Sequence, residues 1–470
     1  MTADPLQPAG LAEPVDLGVP RRIHVVAVGG AGMSAIATVL AEQGHRVSGS
    51  DRASGPVLDK LAGKGVEVHV GHDAGHLGDA ELVVVSSAVG ADNPEVTAAL
   101  ERGVPVLRRI DLLPSFAVRQ PFLSVSGTHG KTTTTSMLAT ALVAAGEDPS
   151  YLIGAEVPVL GAAAASGSGR WFVLEADESD ASFMAGPRAA ALVTNIEPDH
   201  LEFWGGWDEL RQGFADFLGG TDGPRVVCAD DPEAARIGRS HGSVSYGIDG
   251  SADHRIEDLV LGPKGSRWTM VGTSGSVPVE LGVPGLHNAL NATGALAVVA
   301  EVGADLRAAA GGLAGFTGAA RRFERRGSVN GIDFVDDYAH LPTEVRAALA
   351  AGRSGGWDRV VAVFQPHRYS RTEALWADFA GCFGDADLLL LSEIYPAGET
   401  PRPGVSGSLL VDAVRAADAS IDLRWCADLD TVVDCLVDEL RAGDLCMTIG
   451  AGDVTTVADL VIARMAVKGS

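Results

Sequence analysis

Cysteine is scarce in this chain: five in 470 residues, at positions 228, 382, 426, 435 and 446. The number is odd and no C-x-x-C pair occurs, which speaks against a disulfide framework and against a zinc site. A reducing cytosol is the expected setting. Also missing is any apolar run of the roughly 18–20 residues that cross a bilayer. The opening stretch, MTADPLQPAGLAEPVDLGVPRR, holds four prolines and no basic start before an apolar core. It does not read as a signal peptide, and residues 1–22 are expected to form a disordered leader. Positive charge is in short supply, with 36 Lys and Arg against 61 Asp and Glu, a net charge of −25. An acidic surface argues against general binding to nucleic acid or anionic membranes. No tandem repeat is visible.

What remains is ordinary globular material, 46% hydrophobic and 21% charged, long enough for about three domains. IHVVAV (23–28) is a continuous apolar run, as expected of a strand buried on both faces. Glycines follow, then a helical stretch, then RVSGSD, VEVHVG and ELVVVSSAV. Strand and helix at this rhythm predict a doubly wound α/β domain over 23–120. A second α/β rhythm begins with PFLSVSG (121–127) and runs through RWFVLEADESD, AALVTNIEPDH and RVVCADD to the helix HNALNATGALAVVAEVG, giving a domain over 121–317. Within it, 248–282 reads as short antiparallel strands and AAAASGSG (162–169) as small-residue loop. A third unit, 318–470, has expected strands IDFVDDY, DRVVAVFQ, ADLLLLSEIY and DLCMTIGAGD.

Between a strand and a helix lies Gly127-Thr128-His129-Gly130-Lys131-Thr132. Backbone N–H groups at a helix start attract an anion. Lys131 adds positive charge for β- and γ-phosphates, and the Thr132 hydroxyl suits Mg²⁺. The common spacing G-x-x-x-x-G-K-[ST] would place glycine at 125, where this chain has Val125. The earlier loop AVGGAGMS (27–34) has Gly29, Gly30 and Gly32 but Ala27 in the first glycine position, with Asp51 about twenty residues on. That pattern leaves open a hydride cofactor, a sugar nucleotide and plain tight packing. Glu175, at the end of an apolar strand, suits Mg²⁺. Asp177, Glu178 and Asp180 read as a solvated acidic loop. His200 reads as a packing or capping residue, drawn toward a metal or phosphate role by its place at a strand end. His367, Arg368 and Arg371 suit a carboxylate or phosphate, with surface ion pairing as the alternative.

Taken together, GGAGMS, SGSD, SSAV with DNPE, GTHGKTTTTSM, EADESD, TNIEPDHLEF, HNALNA, RRFE, DDYAH, FQPHRYSRT, YPAGE and GAGD, in this order from about 23 to 453, resemble the Mur ligases, the ATP-dependent amino-acid ligases of peptidoglycan synthesis. The resemblance implies three domains: a Rossmann-like N-terminal one, a P-loop ATPase-like central one and a Rossmann-like C-terminal one that closes over the nucleotide. It implies that Gly29, Gly30, Ala31, Gly32, Met33, Ser34, Asp51, Ser86 and Ser87 line a UDP site rather than an NAD site. It implies ATP on Gly127, Thr128, His129, Gly130, Lys131, Thr132, Thr133, Asn291, Arg322 and Asp337, and Mg²⁺ on Thr132, Glu175 and His200. Catalytic roles would fall to Lys131, Glu175, His200 and His340, and Tyr338, His367, Arg368 and Arg371 would face substrate. The implied reaction joins L-alanine to the lactyl carboxylate of UDP-N-acetylmuramate through an acyl phosphate. These small molecules and ATP are the expected partners, with no nucleic acid and no membrane. The alternatives are attachment of a whole tripeptide to the same nucleotide, an NAD(P)-dependent oxidoreductase and a binding protein without catalysis. Four positions depart from the family pattern: Ala27 for glycine, Leu341 for a second histidine, Glu202 for aspartate and Ala181 for glycine.

Overall fold

The structure is a computed structural model that describes residues 14–468 apart from 87, 180–181, 263–264, 274 and 419. The first thirteen residues of the expected leader, and the Ser87, Asp180 and Ala181 readings, lie outside the described residues. The second part of the leader is not loose. Leu17 is 2% exposed in the first hydrophobic core. The Val15 amide donates to Ser115 Oγ at 2.9 Å, and Arg119 donates to the Leu17 carbonyl at 2.9 Å. An apolar side chain with a place to bury outweighs the proline-rich composition.

The described residues divide into two compact units, one within 14–257, 270–277 and 290–313 and the other within 258–269, 278–289 and 314–468. The first unit carries a five-stranded sheet of β1 (Arg22–Val26), β2 (Arg46–Asp51), β3 (Glu67–Val70), β4 (Leu82–Val85) and β5 (Val106–Arg108). Their spatial order is β3-β2-β1-β4-β5, parallel throughout. Ile23, Val25, Leu82 and Val84 face one core while Val26, Val83 and Val85 face another. Burial on both faces is why these strands read as unbroken apolar runs. The order reverses beside β1, and ligands of such sheets bind at this switch point beyond the strand ends.

The same unit holds β6 (Phe122–Ser126), β7 (Ser150–Val157), β8 (Ala162–Ala165), β9 (Phe172–Glu175), β10 (Arg188–Val193), β11 (Arg225–Cys228) and β12 (Val244–Gly247), ordered β12-β11-β10-β6-β9-β7-β8. The β8 strand corrects the first half of the expected loop at 162–169, and 166–169 carries no helix or strand. Its alanines have weak strand preference, but they pair antiparallel with β7 and Ala164 is buried, so pairing and packing override composition. The 248–282 region forms β13 (His254–Gly262), β14 (Gly265–Gly272) and β15 (Gly275–Leu281). The helix Lys131–Ala144 is buried from Thr132 to Leu142. Three of its hydroxyls are satisfied locally: Thr135, Ser136 and Thr140 each donate to the carbonyl four residues back, at 2.7–2.8 Å.

In the second unit β16 (Glu324–Val329), β17 (Ile332–Asp337), β18 (Arg359–Phe364), β19 (Leu388–Ser392), β20 (Asp422–Cys426) and β21 (Asp444–Ile449) lie in the order β16-β17-β21-β18-β19-β20. Among the described residues of this sheet β16 pairs antiparallel with β17 and the other pairs are parallel. Leu388 and Leu390 enter one core and Leu389 and Leu391 the other. Among the described residues no helix is long and apolar enough to cross a membrane.

Candidate active site

Strand register sets the first cluster. β6 lies between β10 and β9, pairing Ser126 with Val193 and Val125 with Glu175. The loop after β6, the Glu175 carboxylate and Thr194-Asn195 therefore share one sheet edge. Gly127 has φ +132°, and a Cβ there would lie 2.1 Å from Thr194 Oγ1. Gly130 has φ +79°, and its Cβ would meet Asn291 Oδ1 at 2.8 Å. Neither place admits a side chain. Asn195 braces the loop: its carbonyl accepts from the Thr128 amide at 3.0 Å and its Oδ1 from the His129 amide at 2.7 Å. His129 Nε2 is 3.1 Å from Glu197 Oε2, and Thr133 is buried. The absent glycine at 125 thus has a simple account. Val125 is an interior strand residue, 0% exposed, and the tight turn starts two residues later.

Lys131 Nζ donates to the Gly127 carbonyl at 2.8 Å and the Thr128 carbonyl at 3.3 Å, and it lies 2.9 Å from Glu178 Oε1. Glu178 is a correction to the solvated acidic loop, because its side chain is 1% exposed. Burial pushes its carboxyl up, against the pull of Lys131. For Lys131, burial opposes the charge, but Glu178 and Asp177 outweigh it and hold the ammonium above the usual lysine range. Thr132 Oγ1 donates to Glu175 Oε1 at 2.7 Å, and the Gly154 amide donates to Glu175 Oε2 at 2.6 Å. A hydroxyl and a carboxylate in contact are hard oxygen donors, the set Mg²⁺ favours. His200 stands apart from that description: it takes φ +53°, caps the short helix Leu201–Trp204, and its Nε2 lies 3.4 Å from Asp199 Oδ2. Among the described residues no group of three or more His, Cys, Asp or Glu side chains is arranged to hold a metal ion.

The first glycine loop follows β1. Ala27 carries φ +60°, a left-handed conformation. The Gly29 amide donates to Asp51 Oδ2 at 2.8 Å, so the acid expected near a ribose also ties the loop down. Gly30 precedes the helix Ala31–Glu42, whose first turn includes Gly32 and Ser34, with Ser34 Oγ donating to the Ala31 carbonyl at 3.0 Å. Met33 corrects the expectation that it lines a site, because it is 3% exposed and belongs to the core. Ser86 Oγ accepts from the Ala88 amide at 3.3 Å. A cavity of about 130 Å³ runs from Ala31, Gly32 and Arg109 to Gly154, Glu175 and Asp177. A larger one of about 570 Å³ shares Ala31 and Gly154 with it. The first glycine loop and Glu175, the partner of Thr132, thus line common space.

Sequence reading missed one cluster in this domain. Glu95 of DNPE is 0% exposed. It accepts from Ser50 Oγ at 2.6 Å and lies 2.9 Å from both His72 Nδ1 and His76 Nδ1, with His24 Nε2 at 3.6 Å. Burial works to raise its carboxyl, yet the hydrogen bonds from His24, Ser50, His76 and His72 bring it down to about 2. The spacing of 24, 72, 76 and 95 gives no local signal; only the sheet order brings them together.

The second unit gathers Tyr338, His340, His367 and Arg371. His340 and His367 have ring centroids 6.0 Å apart, and Tyr338 and His340 5.3 Å. Arg371 Nη1 lies 3.0 Å from His367 Nδ1. A guanidinium only donates, so His367 Nδ1 accepts and the ring is neutral. Burial first, then Arg371, His340 and Arg368, lower the His367 pKa to about 4. Burial also lowers His340, with Glu344 opposing. The guanidinium of Arg322 lies 5.0 Å over the Tyr338 ring, while Arg368 is exposed and takes φ +70°. Asp337 accepts from the amides of Phe323 and Ala339, both at 2.8 Å, and burial raises it to about 6 despite Arg322. Arg321, beside the predicted Arg322, is a brace: it pairs with buried Asp336 and donates to the Gly450 carbonyl at 2.6 Å. Leu341, 7% exposed, packs where the family pattern has a histidine.

Comparison with known proteins agrees with this arrangement. Three family models match in chain order: "Mur ligase family, catalytic domain" over 22–120, "Mur ligase middle domain" over 125–299 and "Mur ligase, glutamate ligase domain" over 321–452. The chain is 46% identical over 458 residues to a UDP-N-acetylmuramate–L-alanine ligase of Kineococcus radiotolerans, covering 95% of this chain and 96% of that one. It is 43% identical over 457 residues to a ligase of the same name from Clavibacter sepedonicus, covering 96% and 94%. Among solved structures, the UDP-N-acetylmuramate–alanine ligase of Thermotoga maritima superposes with a TM-score of 0.79 at 27% identity, over 95% of this chain and 100% of that one. A murein peptide ligase from Psychrobacter arcticus, at 24% identity and a TM-score of 0.66 over 95% and 98%, shares the fold. A glycine loop after β1, a second after β6 and relatives this similar over nearly the whole length lead to one assignment: the chain belongs to the Mur ligase family.

Proposed function

We propose that this chain joins L-alanine to the lactyl carboxylate of UDP-N-acetylmuramate, using ATP, in peptidoglycan precursor synthesis. The observation that carries the reading is Glu175, which accepts from Thr132 of the Gly127–Thr132 loop and lines the same cavity as Ala31 and Gly32 of the first glycine loop. The relatives named above carry the alanine ligase name at 43–46% identity. The murein peptide ligase likeness is one of fold alone, and tripeptide attachment is not favoured. A reducing cytoplasm, where ATP and the nucleotide sugar are made, suits five cysteines without a disulfide.

In the first step a lactyl carboxylate oxygen attacks the γ-phosphorus of ATP, and the bond to the ADP oxygen breaks. In the second the uncharged amine of alanine attacks the acyl carbon, loses a proton, and inorganic phosphate leaves. Bringing anions together is the main barrier, so charge and position do most of the catalysis. Lys131 and the amides of Gly130, Lys131 and Thr132 hold the phosphates, with Gly127 making the turn and Thr128, His129 and Thr133 shaping the loop. Thr132 and Glu175 would hold Mg²⁺, which supplies positive charge to phosphate oxygens. His200, beside Asp199 at the start of the helix Leu201–Trp204, orients substrate. Asn291, pressed against Gly130, is placed to read the base. Gly29, Gly30, Ala31, Gly32, Ser34 and Asp51 hold the UDP, with Ser86 near them. In the second unit Arg322 and Asp337 take part in binding ATP, and Tyr338, His340, His367, Arg368 and Arg371 present a cationic, partly aromatic face to alanine's carboxylate. Phosphate release from ATP, measured with and without UDP-N-acetylmuramate and L-alanine, tests the reading. Release must require both. Release with tripeptide but not alanine would replace it, and no release would remove it.

A further inference from the structure

An ammonium group has three N–H donors. On Lys131 all three are engaged, by the Gly127 carbonyl at 2.8 Å, the Thr128 carbonyl at 3.3 Å and the Glu178 carboxylate at 2.8–2.9 Å. A phosphate must take at least one of these places. The two carbonyls belong to the loop, which is already braced on Asn195 and Thr194. The carboxylate comes from another segment, whose backbone is pinned where Trp204 Nε1 donates to the Glu178 carbonyl at 3.0 Å. Carboxylate and phosphate oxygens are interchangeable partners for an ammonium in charge and geometry. Glu178 is thus the partner a nucleotide displaces.

We infer that Glu178 is a positioning residue, a built-in anion that holds Lys131 over its own loop when no nucleotide is bound and competes with the nucleotide's phosphate for it. The inference rests on the ATP reading and adds a cost to nucleotide binding that helps the product leave. While phosphate occupies Lys131, a carboxylate of 1% exposure with Asp177 as its chain neighbour loses its cation. As ADP departs, the pair closes again. Burial of the pair makes this competition strong, because little water screens it.

The test is calorimetric titration of ADP into the full-length wild type and Glu178→Gln, with UDP-N-acetylmuramate binding as the check on folding. Glu178→Gln keeps the shape and removes the competing charge. It is expected to bind ADP about tenfold tighter, the size of one lost charge contact in a shielded site, and to show a lower KM for ATP without a higher kcat. A merely structural role would loosen ADP binding. If Glu178→Gln fails to fold, Glu178→Asp draws the carboxylate back by one methylene and is expected to shift ADP binding in the same direction by a smaller factor. Wild-type binding of ADP with equal or weaker binding by the folded variant overturns this inference alone. A wild type that binds no ADP overturns the ATP reading and this inference with it.

Discussion

Ala27→Gly is expected to stabilise the protein. Ala27 sits between β1 and the first glycine loop with φ +60°. A left-handed conformation costs a residue with a Cβ roughly 1–2 kcal/mol. Glycine removes that cost but adds unfolded-state entropy of about 0.4–1 kcal/mol. It also deletes a half-buried methyl, worth about 0.4 kcal/mol by area. The net is a gain of roughly 0.5 kcal/mol. Ala37→Gly is the contrast, because Ala37 is 0% exposed inside the helix Ala31–Glu42. There glycine loses about 1 kcal/mol of helix propensity and a fully buried methyl, about 2 kcal/mol in all. Native-state hydrogen exchange of the β1 and β2 amides, read in rising urea, reports the stability of this domain without assuming that the whole chain unfolds in one step. The two variants should move in opposite directions. If Ala27→Gly loses stability as Ala37→Gly does, the left-handed strain argument is wrong.

Gly127→Ala forces a Cβ to within 2.1 Å of Thr194 Oγ1 at φ +132°; ADP binding should fall at least about tenfold while UDP-N-acetylmuramate binding, also followed by calorimetry, survives. Lys131→Ala should abolish ATP-dependent ligation in the phosphate-release assay. Glu95 has a depressed folded pKa of about 2 against 4.5, so its contribution is present above pH 4.5 and fades as pH falls toward 2. Glu95→Gln should cost about 3 kcal/mol at pH 7, and the gap from wild type should narrow by about 2 kcal/mol at pH 3 in urea melts. Arg371→Gln removes a cation from His367, whose pKa burial and Arg371 lower to about 4; histidine NMR titration should show a rise of about one unit.

The doubly wound architecture was legible because buried parallel strands leave a plain mark. The runs Leu82 to Val85 and Leu388 to Leu391 are apolar at every position, since successive residues enter different cores. The β8 strand was not legible, because four alanines carry no strand signal and depend on β7 for pairing. The same limit applies at the site. Lys131, Thr132 and Glu175 stand in or beside apolar strands and a glycine turn, so local sequence points to them. Glu178 looks like one more acid in a hydrophilic run until the fold sets Lys131 against it. Glu95 needs four separate segments to meet before its role appears.

The helix behind the phosphate loop has a practical consequence for anyone redesigning its surroundings. The hydroxyls of Thr135, Ser136 and Thr140 are spent on the carbonyls of their own helix, so they ask nothing of the strands packed on them. Neighbouring apolar side chains can then be exchanged for others of similar volume without leaving these hydroxyls unsatisfied. Along these positions a helix with several hydroxyls presents an apolar face to its neighbours, while Thr132 and Lys131 at its start keep their polar groups for the site.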